Sequence, residues 1–260
     1  MLEINSKTNK TYKMLLSLRT KKGRTEHGCY AVEGLKSVEE ALVHAKNIKL
    51  LVVTKNFLAS NADLLCLAKE KQVELCCLSE ELFSKISDTQ TPSGVLCTIA
   101  LPDHTKPVLQ DGLYIYCDHL ADPGNAGTII RTADAVGASA VLFSPECVDI
   151  YNPKVIRSTM GSFFHIATYT DVDCGLLDDA KKQGFLCAAG ALSPSATDAR
   201  ALTLPKNTLL VIGNESNGVT TQVLSLCDKH VILPIVGKAE SLNAAAAAAV
   251  FMYKWLFEQS

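Results

Sequence analysis

The sequence predicts an α/β fold with a parallel sheet in its C-terminal part, preceded by a smaller α/β domain. Short apolar segments alternate with segments of helical spacing along most of the chain, and such alternation is typical of α/β domains. Two apolar segments, 209–212 and 231–236, read as buried strands that each run into a glycine-containing turn. Strands that are apolar throughout indicate a parallel sheet covered on both faces.

The smaller domain is predicted over residues 1–100. A first helix over 6–21 carries Met14, Leu15 and Leu18 at near-helical spacing, and the basic and glycine residues of 21–24 are expected to end it. The strands that follow are predicted at 29–32, 48–54, 73–78 and 94–100, with helices at 35–46, 61–71 and 80–86 between them. Glu33 and Gly34 are expected to have a structural role at a strand-to-helix turn.

A linker and a second domain complete the chain. Residues 101–112 contain Pro102 and Pro107 without periodicity, which indicates a linker, and the second domain is predicted over 113–260. Its remaining strands are predicted at 113–117, 140–143, 164–168 and 185–191, and its helices at 128–136, 153–160, 176–183, 220–227 and 244–257. The last helix is rich in alanine, the best helix former, and Ser241 or Asn243 is expected to cap it.

Composition excludes several classes of protein. The chain of 260 residues is 48% hydrophobic and 20% charged, as in ordinary globular proteins. It has no apolar run of transmembrane length and no signal-peptide pattern at its N-terminus, so we expect a cytosolic protein that does not enter the membrane. The ten cysteines mostly fall in apolar runs and form no Cys-x-x-Cys pair. They are expected to be core residues, and we predict no metal site.

Charge is unevenly distributed, although the formal net charge is only −2. Lys7 to Arg24 contains seven basic residues and no acidic one. A local basic stripe can bind phosphates even in a nearly neutral protein. The alternative is a solvated helix face near the end of the chain.

Common nucleotide and hydrolase motifs are missing from the sequence. It contains no Gly-x-Gly-x-x-Gly after a strand, no P-loop, no Gly-x-Ser-x-Gly and no His-Glu-x-x-His. The stretch from Gly124 to Gly127 is predicted as a tight loop before a helix. Its free N–H groups could bind a phosphate or carboxylate, or it could be an ordinary strand-to-helix turn.

Arg131 is the unusual residue of the following helix, because it lies in an apolar stretch. An unpaired buried guanidinium is costly, so Arg131 must reach solvent, face a polar cleft or pair with a carboxylate. Glu215, in another apolar-flanked turn, is the predicted partner. Such a pair could be a structural ion pair, or it could line a site that holds a phosphate or a ribose hydroxyl.

Three motifs in the second domain together resemble those of the SpoU (TrmH-type) RNA ribose methyltransferases. They are Asp-Pro-Gly-Asn-Ala-Gly-Thr-Ile-Ile-Arg-Thr-Ala from Asp122, Gly-Asn-Glu-Ser-Asn-Gly from Gly213, and Leu-Pro-Ile-x-Gly-x-x-x-Ser-Leu-Asn from Leu233. The resemblance covers 113–257 and follows the family's motif order. One departure is the run of six alanines, Ala244 to Ala249, after the third motif.

The resemblance implies methyl transfer from S-adenosylmethionine to a ribose 2′-oxygen of RNA, in a domain with a C-terminal trefoil knot. It implies a catalytic set of Arg131, Asn125, Glu215, Ser241 and Asn243, with Arg131 as the principal member. It implies a cofactor-binding set of Gly213, Leu233, Ile235, Gly237 and Leu242, and Ala189 and Gly190 are expected to close the pocket.

The implied role of Arg131 is electrostatic, because arginine is too basic to act as a general base. In this hypothesis Arg131 holds an RNA phosphate and lowers the pKa of the 2′-hydroxyl, and the phosphate or a nearby side chain takes the proton. Asn125 and Glu215 are expected to fix Arg131. Ser241 and Asn243 are expected to shape the site.

The basic stretch that ends at Arg24, together with Tyr30 to Gly34, resembles the substrate-binding domain that often precedes the SpoU domain. That substrate-binding domain is similar to ribosomal L30e-type RNA binders. This implies RNA contacts by Lys10, Lys13, Arg19, Lys21, Lys22 and Arg24.

The family also implies a homodimer, although the last helix could simply cover its own sheet. The favoured substrate is ribosomal RNA of the 23S type. The alternatives are a transfer-RNA ribose methyltransferase and a knotted RNA-binding protein without turnover.

Overall fold

The computed structural model describes residues 2–103, 106–193 and 196–259. These residues divide into two compact units. The first consists of the chain up to Asp103 together with Asp149–Phe164, and the second of the chain from 106 to Val148 and from His165 onwards.

The secondary structure alternates between strands and helices, as the sequence predicts. The strands are β1 Leu2–Ile4, β2 Cys29–Glu33, β3 Ile48–Thr54, β4 Glu74–Leu78, β5 Val95–Ala100, β6 Leu113–Cys117, β7 Ala140–Phe143, β8 Ala167–Tyr169, β9 Leu186–Gly190, β10 Thr197–Asp198, β11 Thr208–Ile212 and β12 Lys229–Ile232. The helices are α1 Lys10–Ser17, α2 Lys21–His27, α3 Leu35–His44, α4 Lys55–Ser60, α5 Ala62–Glu70, α6 Glu80–Ile86, α7 Pro123–Ala135, α8 Pro153–Ser158, α9 Gly175–Lys182, α10 Thr221–Leu226 and α11 Ala244–Glu258.

The first unit is built on a mixed five-stranded sheet in the order β1-β4-β3-β5-β2. Strands β1, β4 and β3 are parallel, and β5 is antiparallel to both of its neighbours. At the end of β2 the buried carboxylate of Glu33 accepts hydrogen bonds from the Ser87 and Thr89 hydroxyls and from the Asp88 backbone N–H. Gly34 follows with a φ of 105°, which favours glycine. The predicted structural role of this turn is confirmed.

The predicted first helix is in fact two helices, α1 and α2. The Thr20 hydroxyl accepts a hydrogen bond from the Gly23 N–H and so starts a new helix. A Cβ on Gly23 would lie 2.1 Å from the Ser17 carbonyl oxygen, so only glycine permits this turn. The second helix ends at Gly28, which adopts the left-handed conformation. Lys21–Arg24 therefore begins a helix instead of ending one.

Residues 149–164 group with the first unit, although the sequence placed all of 113–260 in one domain. The physical reason is a partly buried ion pair and an aromatic cluster. Arg24 donates to the Asp149 carboxylate over 3.2 Å from Nε and 2.5 Å from Nη2. The rings of Tyr151 and Phe163 pack on Tyr30, with centroids 4.9 and 6.0 Å away. Such tertiary pairing leaves no periodic signal in the sequence.

The second unit is built on a seven-stranded sheet in the order β10-β12-β9-β11-β6-β7-β8. All its pairings are parallel, which confirms the predicted sheet. Helix α7 starts at Pro123 and not at residue 128, because the Asp122 carboxylate accepts from the Asn125 N–H and Pro123 suits the first helical position. Gly124–Gly127 is therefore the first turn of a helix and not a loop.

The structure also bears on the predictions about membrane-spanning segments and about the cysteines. Within the described residues, no helix is long and apolar enough to span a membrane. The cysteines are free thiols, and several from apolar runs, such as Cys97 and Cys117, are buried. Burial raises the pKa of the Cys97 thiol to about 12, so this cysteine acts as a core residue.

Candidate active site

A cleft of about 440 Å³ opens in the second unit at the carboxyl ends of β9, β11 and β12. Three loops form its walls, namely 190–192, 212–219 and 231–242, and α11 contributes Ala244, Ala247 and Phe251. Ligands of open α/β sheets bind at this end of the strands. The volume lies within the range of small-molecule sites, roughly 300–1,000 Å³.

Most of the predicted cofactor residues line this cleft. Gly213, Leu233, Ile235 and Leu242 do so, as does Gly190. Gly237 and Ala189 are not among the lining residues. Ala189 is fully buried, and Gly237 is exposed to solvent.

Gly213 is required by the way its loop folds back on itself. Asn214 and Gly218 exchange backbone hydrogen bonds of 2.9 and 3.0 Å, which brings the two ends of the loop together. A Cβ on Gly213 would lie 2.2 Å from the Gly218 carbonyl carbon. The glycine thus permits a close backbone approach beneath the cleft.

Three polar side chains, one from each motif, form a continuous hydrogen-bonded network. Asn125 Nδ2 donates to Glu215 Oε1 over 2.8 Å, and Asn243 Nδ2 donates to Asn125 Oδ1 over 2.9 Å. Asn243 Oδ1 accepts from the Ala245 and Ala246 N–H groups and caps α11. Of the two predicted capping residues, Asn243 is therefore the cap. Asn125 is buried, so its two polar atoms need these partners.

Glu215 is a fixed acceptor in this network. Its carboxylate also accepts from the Ala121 N–H over 3.1 Å and from the Asp122 N–H over 3.0 Å. Burial raises the pKa of Glu215, but the hydrogen bonds from Asn125 and the backbone outweigh it and lower the pKa below its usual range. Glu215 is therefore ionised at neutral pH and is a weak proton acceptor.

Arg131 lies on the exposed side of α7, six residues beyond Asn125. That separation is about 9 Å along the helix axis. Its guanidinium makes no hydrogen bond or ion pair with the residues that the structure describes. The predicted Arg131–Glu215 pair is wrong, because the Glu215 carboxylate is directed to Asn125 and the backbone of 121–122. The guanidinium is available to an external anion.

Ser241 lines the cleft and is exposed. Within the described chain its hydroxyl makes no hydrogen bond. The structure therefore brings Glu215 and Ser241 to the cleft wall, with Asn125 and Asn243 behind Glu215, and leaves Arg131 on the surface of α7.

The sequence reasoning missed two residues that fasten the second-motif loop to the end of β6. The buried carboxylate of Asp118 accepts from the Thr220 N–H over 2.7 Å. Asn214 Nδ2 donates to the His119 carbonyl over 2.9 Å. The position of Asp118 directly after an apolar strand was a signal that this residue belongs to the site. Its partner could not be predicted, because Thr220 lies 102 positions away in the sequence.

The predicted RNA contacts belong to the first unit. Lys10, Lys13, Lys21 and Lys22 are exposed, and their ammonium groups pair with none of the described residues. Arg19 is partly engaged, since Nη1 donates to the Lys85 carbonyl over 3.2 Å and Nη2 lies 3.8 Å from Asp88 Oδ1.

The prediction for Arg24 is corrected by its environment. The side chain is buried, and its guanidinium is taken up by Asp149 and by the Leu18 carbonyl at 2.8 Å. A group with these partners cannot turn toward a phosphate without leaving the partly buried Asp149 carboxylate unpaired.

Comparison with known proteins agrees with the geometry of the second unit. Residues 112–253 match the SpoU rRNA Methylase family, and residues 9–97 match the MRM3-like substrate binding domain. The first range contains the three motifs, and the second contains most of the basic residues between Lys7 and Arg24.

Individual relatives match almost the whole chain. The chain is 34% identical to the 23S rRNA (guanosine(2553)-2′-O)-methyltransferase RlmP of Bacillus subtilis, over 97% of this chain and 98% of that protein. It is similar to the AdoMet-bound rRNA methyltransferase from Sinorhizobium meliloti, with a TM-score of 0.86, 28% identity, and coverage of 97% and 96%.

A second solved structure shows the same likeness. The SpoU methyltransferase AviRb from Streptomyces viridochromogenes, in complex with AdoMet, has a TM-score of 0.86 and 25% identity, and covers 96% of this chain and 98% of its own. The motifs, the cleft that they surround and the family match over more than half of the sequence lead to one conclusion: the chain belongs to the SpoU rRNA methylase family.

Proposed function

We propose that this protein transfers a methyl group from S-adenosylmethionine to the ribose 2′-hydroxyl of a nucleotide in 23S-type ribosomal RNA. The observation that carries the proposal is the network of Asn125, Glu215 and Asn243, which joins all three motifs beside one cleft. A relative 34% identical to this chain bears the name of a 23S rRNA 2′-O-methyltransferase.

The cleft has the chemical character that S-adenosylmethionine requires. Leu233, Ile235 and Leu242 offer apolar side chains to the faces of the adenine and the methionine chain. The turns at Gly213 and in 233–242 offer backbone groups to polar edges. Gly190 lets the Phe251 ring pack closely against the end of β9 at the cleft wall, because a Cβ there would lie 2.9 Å from that ring. When bound, the cofactor supplies an electrophilic methyl group on a sulfonium.

In the proposed mechanism Arg131 is the catalytic residue that contacts RNA. Its unpaired guanidinium binds a phosphate next to the target ribose, and the nearby positive charge lowers the pKa of the 2′-hydroxyl. Because Glu215 is a weak base, we assign the proton to the RNA phosphate or to another nearby acceptor. Holding the hydroxyl close to the methyl donor accounts for much of the acceleration.

The other motif residues position the site. Asn125 and Glu215 hold the start of α7 against the second-motif loop, which fixes the orientation of the helix that carries Arg131. Asn243 ties the start of α11 to the same point. Ser241 shapes the cleft wall. Gly237 stays a proposed cofactor contact, made when its exposed loop folds over the bound ligand.

The proposed function predicts both cofactor binding and turnover. Calorimetry should detect S-adenosylmethionine binding, and label should pass from its methyl group to 23S rRNA, in a product resistant to alkaline cleavage at the modified ribose. A knotted RNA-binding protein without turnover would bind RNA and transfer no label. Label found in transfer RNA instead would favour the alternative substrate.

In the same assay we expect the basic face of the first unit to control RNA affinity. Replacing Lys10, Lys13, Lys21 and Lys22 together with glutamine should raise the KM for RNA and leave the cofactor Kd unchanged. Each lost phosphate contact should lower the slope of log affinity against log salt by about one. An unchanged salt slope would show that RNA binds elsewhere.

The protein is further proposed to be a homodimer that associates through α11. One face of this helix packs on its own unit through Ala248, Met252 and Trp255. Another face leaves Val250, Tyr253 and Phe257 exposed by 48%, 41% and 70%. An exposed apolar stripe of this kind is typical of an interaction surface.

Phe257→Glu is expected to weaken the dimer at least tenfold, because the charge would be buried without a partner at the interface. Light scattering at micromolar concentration should find a dimer for the native protein and a monomer for the variant. Val43→Glu, which changes a similarly exposed residue of α3, should remain dimeric. A native protein that is monomeric would refute this proposal.

Three expectations from the sequence stay predictions. They are the trefoil knot, the functional division into 1–100 and 113–260 joined by the linker 101–112, and the cytosolic location. The knot is supported by family membership. A crystal structure whose C-terminal segment passes outside every loop of the chain would contradict it.

A further inference from the structure

The cleft is lined by negative charge only. Among its described lining residues the charged ones are Glu215 and Glu240, and none is lysine, arginine or histidine. A ligand in this cleft therefore meets a field that favours positive charge.

The two carboxylates are in different situations. Both oxygens of Glu215 accept hydrogen bonds from 121–125 and are held in place by them. Glu240 lies in the third-motif loop between Leu233 and Asn243, and its carboxylate has no hydrogen-bond or ion-pair partner among the described residues. Glu240 is thus the acidic group of the cleft that is free to respond to a ligand.

The proposed reaction changes the charge of the ligand. S-adenosylmethionine carries a sulfonium, an ammonium and a carboxylate, and so has one net positive charge. When the methyl group passes to the ribose oxygen, sulfur keeps the electron pair of the broken bond and becomes a neutral thioether. The 2′-hydroxyl proton leaves with the acceptor, and the product S-adenosylhomocysteine has no net charge.

We propose that Glu240 is a specificity-determining residue that makes the cleft prefer the cationic methyl donor over its neutral product. The inference rests on the proposed function and deepens it, because it assigns product discrimination to one side chain. The same preference speeds exchange of spent cofactor, since attraction to the carboxylate falls once the sulfonium charge is gone.

The expected effect is moderate, because Glu240 is exposed and solvent screens its charge. Glu240→Gln keeps the shape and removes the charge. It should weaken S-adenosylmethionine binding by roughly three- to tenfold at low salt and change S-adenosylhomocysteine binding by less than about twofold. Raising the salt concentration should reduce the difference between native protein and variant.

Calorimetry on the full chain tests this with three ligands: S-adenosylmethionine, S-adenosylhomocysteine and sinefungin. Sinefungin carries a protonated amine in place of the methylsulfonium, so it has the positive charge without the transferable methyl group. Glu240→Gln should weaken the two cationic ligands and spare the neutral one. Glu240→Asp, which retains the charge, should retain most of the preference.

The outcomes separate this inference from the proposed function. If the native protein binds S-adenosylmethionine and Glu240→Gln weakens all three ligands equally, or none, the role of Glu240 is refuted and the function stands. If only S-adenosylmethionine is weakened, a contact with the methyl group and not charge is responsible, and the inference is also refuted. If the folded native protein binds none of the ligands, both the function and the inference fail.

Discussion

Arg131→Lys is expected to lower the rate of methyl transfer to RNA by about 100-fold or more, the scale of losing one charge-stabilising donor in a transition state. Lysine keeps the positive charge but cannot make the paired hydrogen bonds by which a guanidinium grips a phosphate. The cofactor Kd should not change, because Arg131 is not part of the cleft wall. Single-turnover label transfer at saturating cofactor measures the effect.

Arg200→Lys provides the matched control. Arg200 is also exposed, and its guanidinium pairs with Asp198 at the surface of the second unit. Surface pairs of this kind contribute little, so that variant should transfer methyl groups at the native rate. Near-native transfer by Arg131→Lys would instead show that a point charge is enough and would remove the bidentate role.

Asn125→Asp is expected to break the network that joins the three motifs. It places a carboxylate oxygen where Nδ2 now donates to Glu215 Oε1, 2.8 Å away. Two carboxylates at this distance cannot both be ionised at low cost. At neutral pH the variant should lose roughly 1–3 kcal/mol of stability, the cost of a buried polar group without its partner, and most of its methyl transfer.

The loss should depend on pH in a defined direction. The shared proton raises the pKa of the new carboxyl pair in the folded state above its unfolded values of about 4. A group whose pKa is higher in the folded state than in the unfolded state stabilises the fold at pH values below its unfolded-state pKa. This stabilisation is lost as the pH rises through its folded-state pKa. The difference in Tm between native protein and variant should therefore be small near pH 4 and grow toward pH 8.

Asn9→Asp is the control that makes the same change of residue type at a site where no described carboxylate pairs with the side chain. Asn9 caps α1 by accepting from the Thr11 and Tyr12 N–H groups and has no carboxylate partner in the described chain. An aspartate at a helix N-terminus is stabilised when ionised, so its pH trend should be opposite in sign. A Tm difference for Asn125→Asp that does not grow with pH would contradict the network.

Local patterns carried much of the fold. Strands β3, β6 and β7 were predicted at their observed bounds, because each contains a run of consecutive apolar residues, which is a strong signal for a buried strand. The three-residue strand β1 and the helix α4 were missed, since segments this short have little periodicity. The division of the first helix depended on the contact between Gly23 and Ser17, which no pattern contains.

In the candidate active site, the sequence indicated where the site lies, and the fold decided which side chains pair. The three motifs located the loops around the cleft, and four of the five residues proposed to bind cofactor line it. The partner of Glu215 was wrong, because charge alone suggested Arg131, whereas the fold supplies Asn125 and two backbone N–H groups. Arg24 was placed among the RNA contacts because its sequence neighbours are basic and exposed, but the fold buries it against Asp149.

The sequence by itself determined the α/β class, the order of most elements and the family, since these follow from local periodicity and from motifs that are contiguous in the chain. Only the tertiary structure decided which polar groups meet: Asn125 with Asn243 across 118 positions, Glu215 with Asn125 across 90, and Asp118 with Thr220 across 102. Hydrogen bonds act over about 3 Å in space whatever the separation along the chain. Their partners are therefore fixed only when the sheet brings the ends of its strands together.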